Sequence, residues 1–198
     1  MKKVLIAYTT NSGSTERIAQ LIGEELDKSG HEVRILRLEE VTSLKAYDLV
    51  VVGAPMILGW HRRAVKFVKQ HQAELSKLPV AYFFAAMSLT QTGEERVGDV
   101  PVYIDPGLAK PPAKAGRLSF RERYATPGNY LKSPLRAAPG VKPLEAAFFG
   151  GKLEMYRLKF LQMLFVMLVI RAQPGDLRDW DYIRGWAAGL VKRHLGAP

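Results

Sequence analysis

The 198-residue chain reads as an α/β domain with a doubly wound parallel sheet, helices covering both faces. Three observations predict this. Apolar runs of strand length alternate with segments whose apolar residues recur at helical spacing through the first ninety residues. The runs Leu49–Gly53 (LVVVG) and Val80–Ala86 (VAYFFAA) have no polar face, as strands do when helices cover both sides of a sheet. The first apolar run also leads through a short Gly/Ser/Thr turn directly into a helical pattern, the strand–turn–helix unit of such folds.

Taken in order, Val4–Thr10 is the first strand and Thr10–Thr15 the turn. Ile18, Leu21, Ile22 and Leu26 then share one helical face, and Gly30 supplies the stop. Val33, Ile35 and Leu38 mark a second strand, and Leu49–Gly53 a third. A helix over 62–75 presents Val65, Phe67, Val68 and Leu75, with Pro79 beyond its end, and Val80–Ala86 is the fourth strand. Between Thr90 and Pro143 the texture changes, because eight of the 12 prolines lie there. Gly98–Gly116 reads as an extended loop and Leu118–Leu131 as a short helix at best; loops this long in a compact domain are usually functional or mobile. Ala146–Leu153 is a fifth strand, Met155–Ile170 a helix, Gln173–Asp176 a turn, and 179–194 a last helix with Trp180, Ile183, Ala187, Leu190 and Val191 inward. No repeat or composition break divides the chain. It reads as one domain, 1–198, with a Pro-rich excursion at 90–143 and a basic, apolar helical insertion at 154–175.

Composition narrows the chemistry. The chain is 47% hydrophobic and 24% charged, ordinary for a globular protein, and has no cysteine. Disulfide frameworks, thiolate metal sites and a cysteine nucleophile are thereby excluded, so any redox chemistry requires a bound non-thiol cofactor. The four histidines show no metal-ligand spacing, and no pair of carboxylates has a catalytic spacing; no metal is expected. The net charge of +10 is concentrated: Lys110–Lys159 holds 11 basic residues against three acidic ones. Such a half favours phosphate, nucleic acid, acidic lipid or polycarboxylate partners. It lacks any helix-turn-helix or RNA-binding motif, so nucleic acid is not an expected partner. The apolar run from Val4 to Tyr8 is too short for a signal peptide, and Phe160–Ile170, at 11 residues, is too short to span a bilayer. The latter suits either a core helix or one lying on a membrane surface. A cytoplasmic protein, with peripheral contact to the inner face of the cell membrane through 152–171, is the expectation; a homo-oligomer is compatible with the sequence.

The strongest local signal is Tyr8–Ala19 (YTTNSGSTERIA). A loop between a strand and a helix N-terminus directs backbone N–H groups and the helix dipole at one point, which suits an anion. Thr9, Thr10, Asn11, Ser12, Ser14 and Thr15 add hydroxyl and amide groups, and Gly13 permits close approach. Neither a lysine-bearing triphosphate loop nor G-x-G-x-x-G is present, so a neutral cradle for a terminal monophosphate is favoured over a nucleoside triphosphate or dinucleotide. A plain Ser/Thr helix cap is the alternative on composition alone.

Residues 10–15, Thr-Asn-Ser-Gly-Ser-Thr, resemble the phosphate loop of the flavodoxin family, T-x-[TS]-G-x-T. Residues 50–60 (VVVGAPMILGW) resemble the family's second flavin loop, and Ala86–Thr90 (AMSLT) fall where its third belongs. Asp179–Ala187 is similar to its last helix, and the likeness covers most of 1–90 and 144–195. It implies a five-stranded sheet of order 2-1-3-4-5 and FMN as cofactor. The phosphate would lie on Thr9–Thr15, and the ring would be bordered by Pro55, Met56, Ile57, Leu58, Gly59, Trp60, Ser88, Leu89 and Thr90, with no catalytic side chain beyond the flavin. Within that family the chain is most similar to the menaquinone-dependent protoporphyrinogen oxidases, on Gly53-Ala54, Gly59, Phe67-Val68-Lys69-Gln70-His71 and the basic, Met-rich segment 151–170. The longer Pro-rich segment 98–116 and Pro55-Met56 depart from that pattern. The implied activity is oxidation of a porphyrinogen with a quinone as acceptor, in haem biosynthesis. The alternatives are an electron carrier and an FMN quinone reductase without porphyrin substrate. Electron-carrier flavodoxins are typically acidic, and this chain is basic.

Overall fold

The computed structural model describes residues 1–56, 59–153 and 175–196. The alternation of the sequence is realised as β1 (Lys3–Tyr8), α1 (Ser14–Lys28), β2 (Glu32–Arg37), β3 (Leu49–Met56), α2 (Arg62–Gln70), α3 (Gln72–Leu75) and β4 (Val80–Ala86). The Pro-rich excursion contributes β5 (Leu89–Thr90), β6 (Arg96–Val97), β7 (Val100–Ile104), β8 (Ala109–Lys110), α4 (Phe120–Tyr124) and α5 (Pro127–Ala137). The chain then returns as β9 (Glu145–Gly150), β10 (Lys152–Leu153), β11 (Gly175–Asp176) and a last helix, here α6 (Trp180–Leu190).

The main sheet has the order β2-β1-β3-β4-β9-β7-β6. Its first five members are the expected parallel 2-1-3-4-5 arrangement, with β9 as fifth strand. Side chains on β1 alternate across it. Val4, Ile6 and Tyr8 join Ile18, Leu21, Ile22, Ile183 and Trp186 in the layer under α1 and α6. Leu5 and Ala7 face the opposite layer, with Ala64 and Phe67 of α2 and Tyr130 and Leu131 of α5. The central strands β3 and β4 are buried throughout because both layers cover them.

The excursion corrects the extended-loop reading of 98–116. Val100, Val102 and Ile104 alternate with Pro101 and Tyr103, and β7 extends the sheet in parallel beside β9, while β6 folds back antiparallel on it. Two helices replace the single short one expected over 118–131. Ser119 and Glu122 form a reciprocal capping box at the start of α4, and Thr126 caps α5, whose first residue is Pro127. The helix expected over 62–75 is divided at His71.

The fifth strand is also shorter than expected. An added Cβ on Gly150 would lie 1.8 Å from the Leu177 carbonyl oxygen, so the returning chain crosses directly over this position. Beyond it, the Gly151 N–H donates to the Ala86 carbonyl at 2.7 Å, and β10 pairs antiparallel with β11, where a turn over 173–176 is expected from sequence. The helix expected over Met155–Ile170, and with it most of the 152–171 segment, lies outside the described residues. Asp179 caps α6 by accepting from the Tyr182 N–H. The last turn widens to a π-helix over Val191–Leu195, which brings both Arg193 and His194 onto the buried Glu145 carboxylate.

Candidate functional site

Three loops leave the C-terminal edge of the central strands, where ligands bind in open α/β sheets. The first, Thr9–Thr15, is tied to β3 by the Thr9 N–H, which donates to the Gly53 carbonyl at 3.0 Å. Within it the Gly13 N–H donates to Thr10 Oγ1 at 2.9 Å, and Gly13 itself adopts φ +87°. A side chain is disfavoured there by backbone conformation, and the space beside it is open, with no atom within 4 Å of an added Cβ. No side chain caps α1, so the N–H groups of its first turn are left for another acceptor. Thr15 is completely buried and its Oγ1 has no hydrogen-bond partner. Thr9 and Ser14 are also buried, Thr10 and Ser12 half-buried, and Asn11 exposed.

The second loop reverses tightly after β3. Met56 and Trp60 form an isolated antiparallel bridge, the His61 N–H donates to the Pro55 carbonyl at 3.1 Å, and Gly59 sits at φ +110°. Pro55 and Met56 are buried, Gly59 is half-buried, and Ile57 and Leu58 lie outside the described residues. Trp60 turns inward. It packs on Tyr82 and Phe84 with ring centroids 5.2 and 5.1 Å away, and its indole N–H is buried without a partner.

His61 joins the first two loops. Its Nδ1 accepts the Arg63 N–H at 3.3 Å, capping α2, and its Nε2 lies 3.1 Å from Asn11 Oδ1. An accepting Nδ1 places the proton on Nε2, which then donates to Asn11. Burial, reinforced by the Arg63 charge and opposed by Glu39, holds the imidazole below its ordinary range, so it is neutral near pH 7. In the sequence, His61 figures only as one of four histidines without metal-ligand spacing. Its role depends on a partner 50 positions away, and no local pattern signals that.

The third loop is held by the excursion. Tyr130 Oη donates to the Ser88 carbonyl at 2.9 Å, and burial raises the Tyr130 pKa so that the phenol stays a neutral donor. Leu89 and Thr90 are buried. The Thr90 N–H donates to the Ala125 carbonyl at 2.6 Å and its hydroxyl to the Glu122 carbonyl at 2.9 Å, while β5 pairs with β8. Met87 and Ser88 remain half-exposed on this loop, whereas the Leu89 and Thr90 side chains are directed into the excursion. Tyr130 and Glu122 are thus supports of the site that sequence reading did not find.

The first loop fits a flavin phosphate on structural grounds: an uncapped helix start, a left-handed glycine beside open space, and a buried hydroxyl with nothing to bond. The comparisons agree with the architecture. The flavodoxin-domain family model matches residues 5–178. A protoporphyrinogen IX dehydrogenase [quinone] of Escherichia coli (strain K12) is 31% identical over 200 residues, covering 96% of this chain and 94% of that protein. A protein of the same name from Leishmania major is 33% identical over 208 residues, covering 99% of this chain and 78% of its own. Among solved structures, rubredoxin oxygen:oxidoreductase from Desulfovibrio gigas matches with a TM-score of 0.50 at 13% identity, over all of this chain and 38% of that one, a likeness of fold. With a family match over most of its length and relatives of this kind, the chain belongs to the flavodoxin family and is an oxidoreductase whose fold implies a flavin cofactor.

Proposed function

We propose that the protein is an FMN-dependent enzyme that oxidises protoporphyrinogen IX to protoporphyrin IX and delivers the electrons to a quinone. Two relatives of that name, each aligned over nearly the whole chain, support the substrate pair. The observation that carries the cofactor is the open cradle at Gly13 with the unpartnered Thr15 hydroxyl beneath it. When bound, the flavin supplies two-electron redox chemistry that needs neither thiol nor metal, in keeping with a chain that has no cysteine.

The chain's own residues bind and orient. The Ser14 and Thr15 N–H groups and the hydroxyls of Thr10, Ser12, Ser14 and Thr15 hold the phosphate, and the α1 dipole adds to this without a basic side chain. His61 fixes Asn11, and through it the pitch of the first loop against the second. Pro55, Met56 and Gly59 border the ring by their backbone. Trp60 acts from below: seated on Tyr82 and Phe84, it sets the height of the loop above the sheet. Ser88 borders the ring's other side, positioned by Tyr130, with Leu89 and Thr90 as the anchors of that loop. The protein works in the cytoplasm, against the inner face of the cell membrane.

The test loads purified protein with FMN, removes excess, and supplies protoporphyrinogen IX anaerobically with a short-chain quinone. Porphyrin fluorescence is expected to rise stoichiometrically with quinone consumed. Flavin retained without porphyrin formation, for any quinone, would leave an electron carrier or a quinone reductase. Failure to retain flavin at all would overturn the cofactor assignment.

A further inference from the structure

We propose that α4 and the chain leading into it form a docking surface for an anionic lipid bilayer. Among the described residues the exposed large hydrophobic side chains are Met1, Phe120, Tyr124 and Leu177, and two of these four lie on the five-residue helix α4. Phe120 is 83% exposed, and Tyr124 follows four residues later on the same face, 36% exposed. An exposed aromatic pair at this spacing is an apolar patch rather than a scattered residue.

The charge around it is predominantly positive. Lys110, Lys114, Arg117, Arg121 and Arg123 surround the helix, all exposed. Lys114, Arg117 and Arg123 have no carboxylate within ion-pair distance among the described residues. Glu122 is the only acidic residue between Pro106 and Tyr124. Its carboxylate is taken up internally by the N–H groups of Ala113 and Ser119, which hold its pKa below the usual range. It is therefore ionised and offsets one of the five cations, which leaves an excess of positive charge around the helix.

This combination selects the partner. Phe120 stands out into solvent, whereas small ligands are held in concave sites, so the surface suits an extended partner better than a free porphyrin or phosphate. An aromatic side chain ringed by cations matches the bilayer interface, where aromatics settle at headgroup depth and basic residues meet acidic lipid. The location gives it purpose. α4 and its C-cap Ala125 accept the two Thr90 hydrogen bonds from the third loop, and β8 pairs with β5, so a membrane held by α4 lies beside the candidate site. The binding is independent of the flavin assignment; its use, delivery of electrons to a quinone dissolved in the bilayer, rests on that reading.

The experiment is vesicle co-sedimentation of the full-length, flavin-loaded protein at low and high salt. The vesicles are phosphatidylcholine alone or phosphatidylcholine with phosphatidylglycerol. The wild type is expected on phosphatidylglycerol vesicles only, and less so at high salt. Phe120→Ser should weaken this by about tenfold, and the pair Arg117→Glu with Arg123→Glu by more than about tenfold. Melting temperature and reduction of a short-chain quinone in solution should be unchanged in both, while reduction of a long-chain quinone embedded in the vesicles falls. Variants that bind vesicles like the wild type would overturn the proposal and move the contact to another segment. No binding by the wild type at low salt would overturn it too, as would binding of a single-stranded oligonucleotide but not vesicles. A protein that binds vesicles through Phe120 yet holds no flavin would leave the docking surface standing and defeat only the functional reading.

Discussion

The Asn11 amide and the His61 imidazole meet at 3.1 Å, joining the loop after β1 to the loop after β3. One ring performs two tasks, because its other nitrogen caps α2 by accepting the Arg63 N–H. His61→Ala should therefore lower stability by about 1 kcal/mol through the lost cap. It should also weaken FMN binding by about three- to tenfold, the net worth of one hydrogen bond. Asn11→Ala keeps the cap, so it should reproduce the weaker binding with little change in melting. Flavin fluorescence titration beside thermal melts separates the two. Equal affinity in both variants and wild type would remove the bridge from the binding machinery.

Protonation should oppose the same bridge. The His61 pKa lies below its ordinary value of about 6.5, first because burial disfavours the charged ring. His31 is shifted in the same direction, again chiefly by burial. A depressed histidine pKa means that below pH 6.5 the unfolded chain binds more protons than the folded one. The stabilisation is complete above that pH and is lost as pH falls toward the folded values. Melting temperature should decline from pH 7 to pH 5, and His61→Gln should flatten part of that decline. A variant whose slope equals the wild type's would exclude His61 as a contributor.

Thr15 separates the apo from the loaded protein by sign. Its hydroxyl is fully buried and unpartnered, a loss of about 1–3 kcal/mol when nothing bonds it. Thr15→Val keeps the shape and removes the hydroxyl, so the flavin-free protein should be as stable or more stable. FMN affinity should fall by about tenfold, since a hydrogen bond to a charged phosphate is stronger than a neutral one. Gly13→Asp, whose Cβ meets no atom within 4 Å, strains the left-handed backbone at this position and should eliminate retention after desalting by charge repulsion. Unchanged affinity in both would mean that the phosphate binds elsewhere.

At Gly53 the sheet admits no side chain. A Cβ there would lie 1.8 Å from the Phe83 ring, which lies across β3 from the neighbouring strand. Gly53→Ala should cost about 1–3 kcal/mol through overpacking. Phe83→Leu in the same chain should recover part of that, read as a coupling in a double-mutant cycle. Strict additivity of the two changes would place the strain elsewhere.

What the sequence made legible follows from how local each signal is. The doubly covered parallel sheet could be anticipated because β3 and β4 carry no polar face; the order of its five strands is implied only by the resemblance to the flavodoxin family. The Thr9–Thr15 loop could be anticipated because strand, turn and helix start lie within a dozen residues. By contrast, Val100–Ile104 carries a strand alternation hidden by Pro101 and Pro106, and its partner strand begins only at Glu145. The partners of His61 and Thr90 lie 50 and 32 residues away, so periodicity holds no trace of them. Trp60 is expected beside the ring from the resemblance, and only the Met56–Trp60 bridge reveals that its side chain turns toward Tyr82 and Phe84.

The buried Glu145 carboxylate locks the C-terminus to the first residue of β9. It accepts a forked pair of bonds from Arg193 at 2.9 and 2.8 Å, and His194 Nε2 lies 2.8 Å from the same carboxylate. The wide π turn is what lets two consecutive side chains reach one acceptor, and Arg193 also stacks over Tyr103 at 4.4 Å. Removing the carboxylate leaves Arg193 held by the aromatic ring alone, and that residue is partly exposed, so the loss is smaller than for a fully buried pair. Glu145→Ala should destabilise by about 1–3 kcal/mol, the range for hydrogen bonds to charged groups. Truncation after Leu190 removes the same bonds from the other side and should cost at least as much. The lock sits at the opposite end of the sheet from the flavin loops, so FMN affinity measured well below the melting temperature should not change. Loss of affinity in Glu145→Ala would mean that the C-terminal turn reaches the site through α6, and the two ends of the sheet would then have to be treated as coupled.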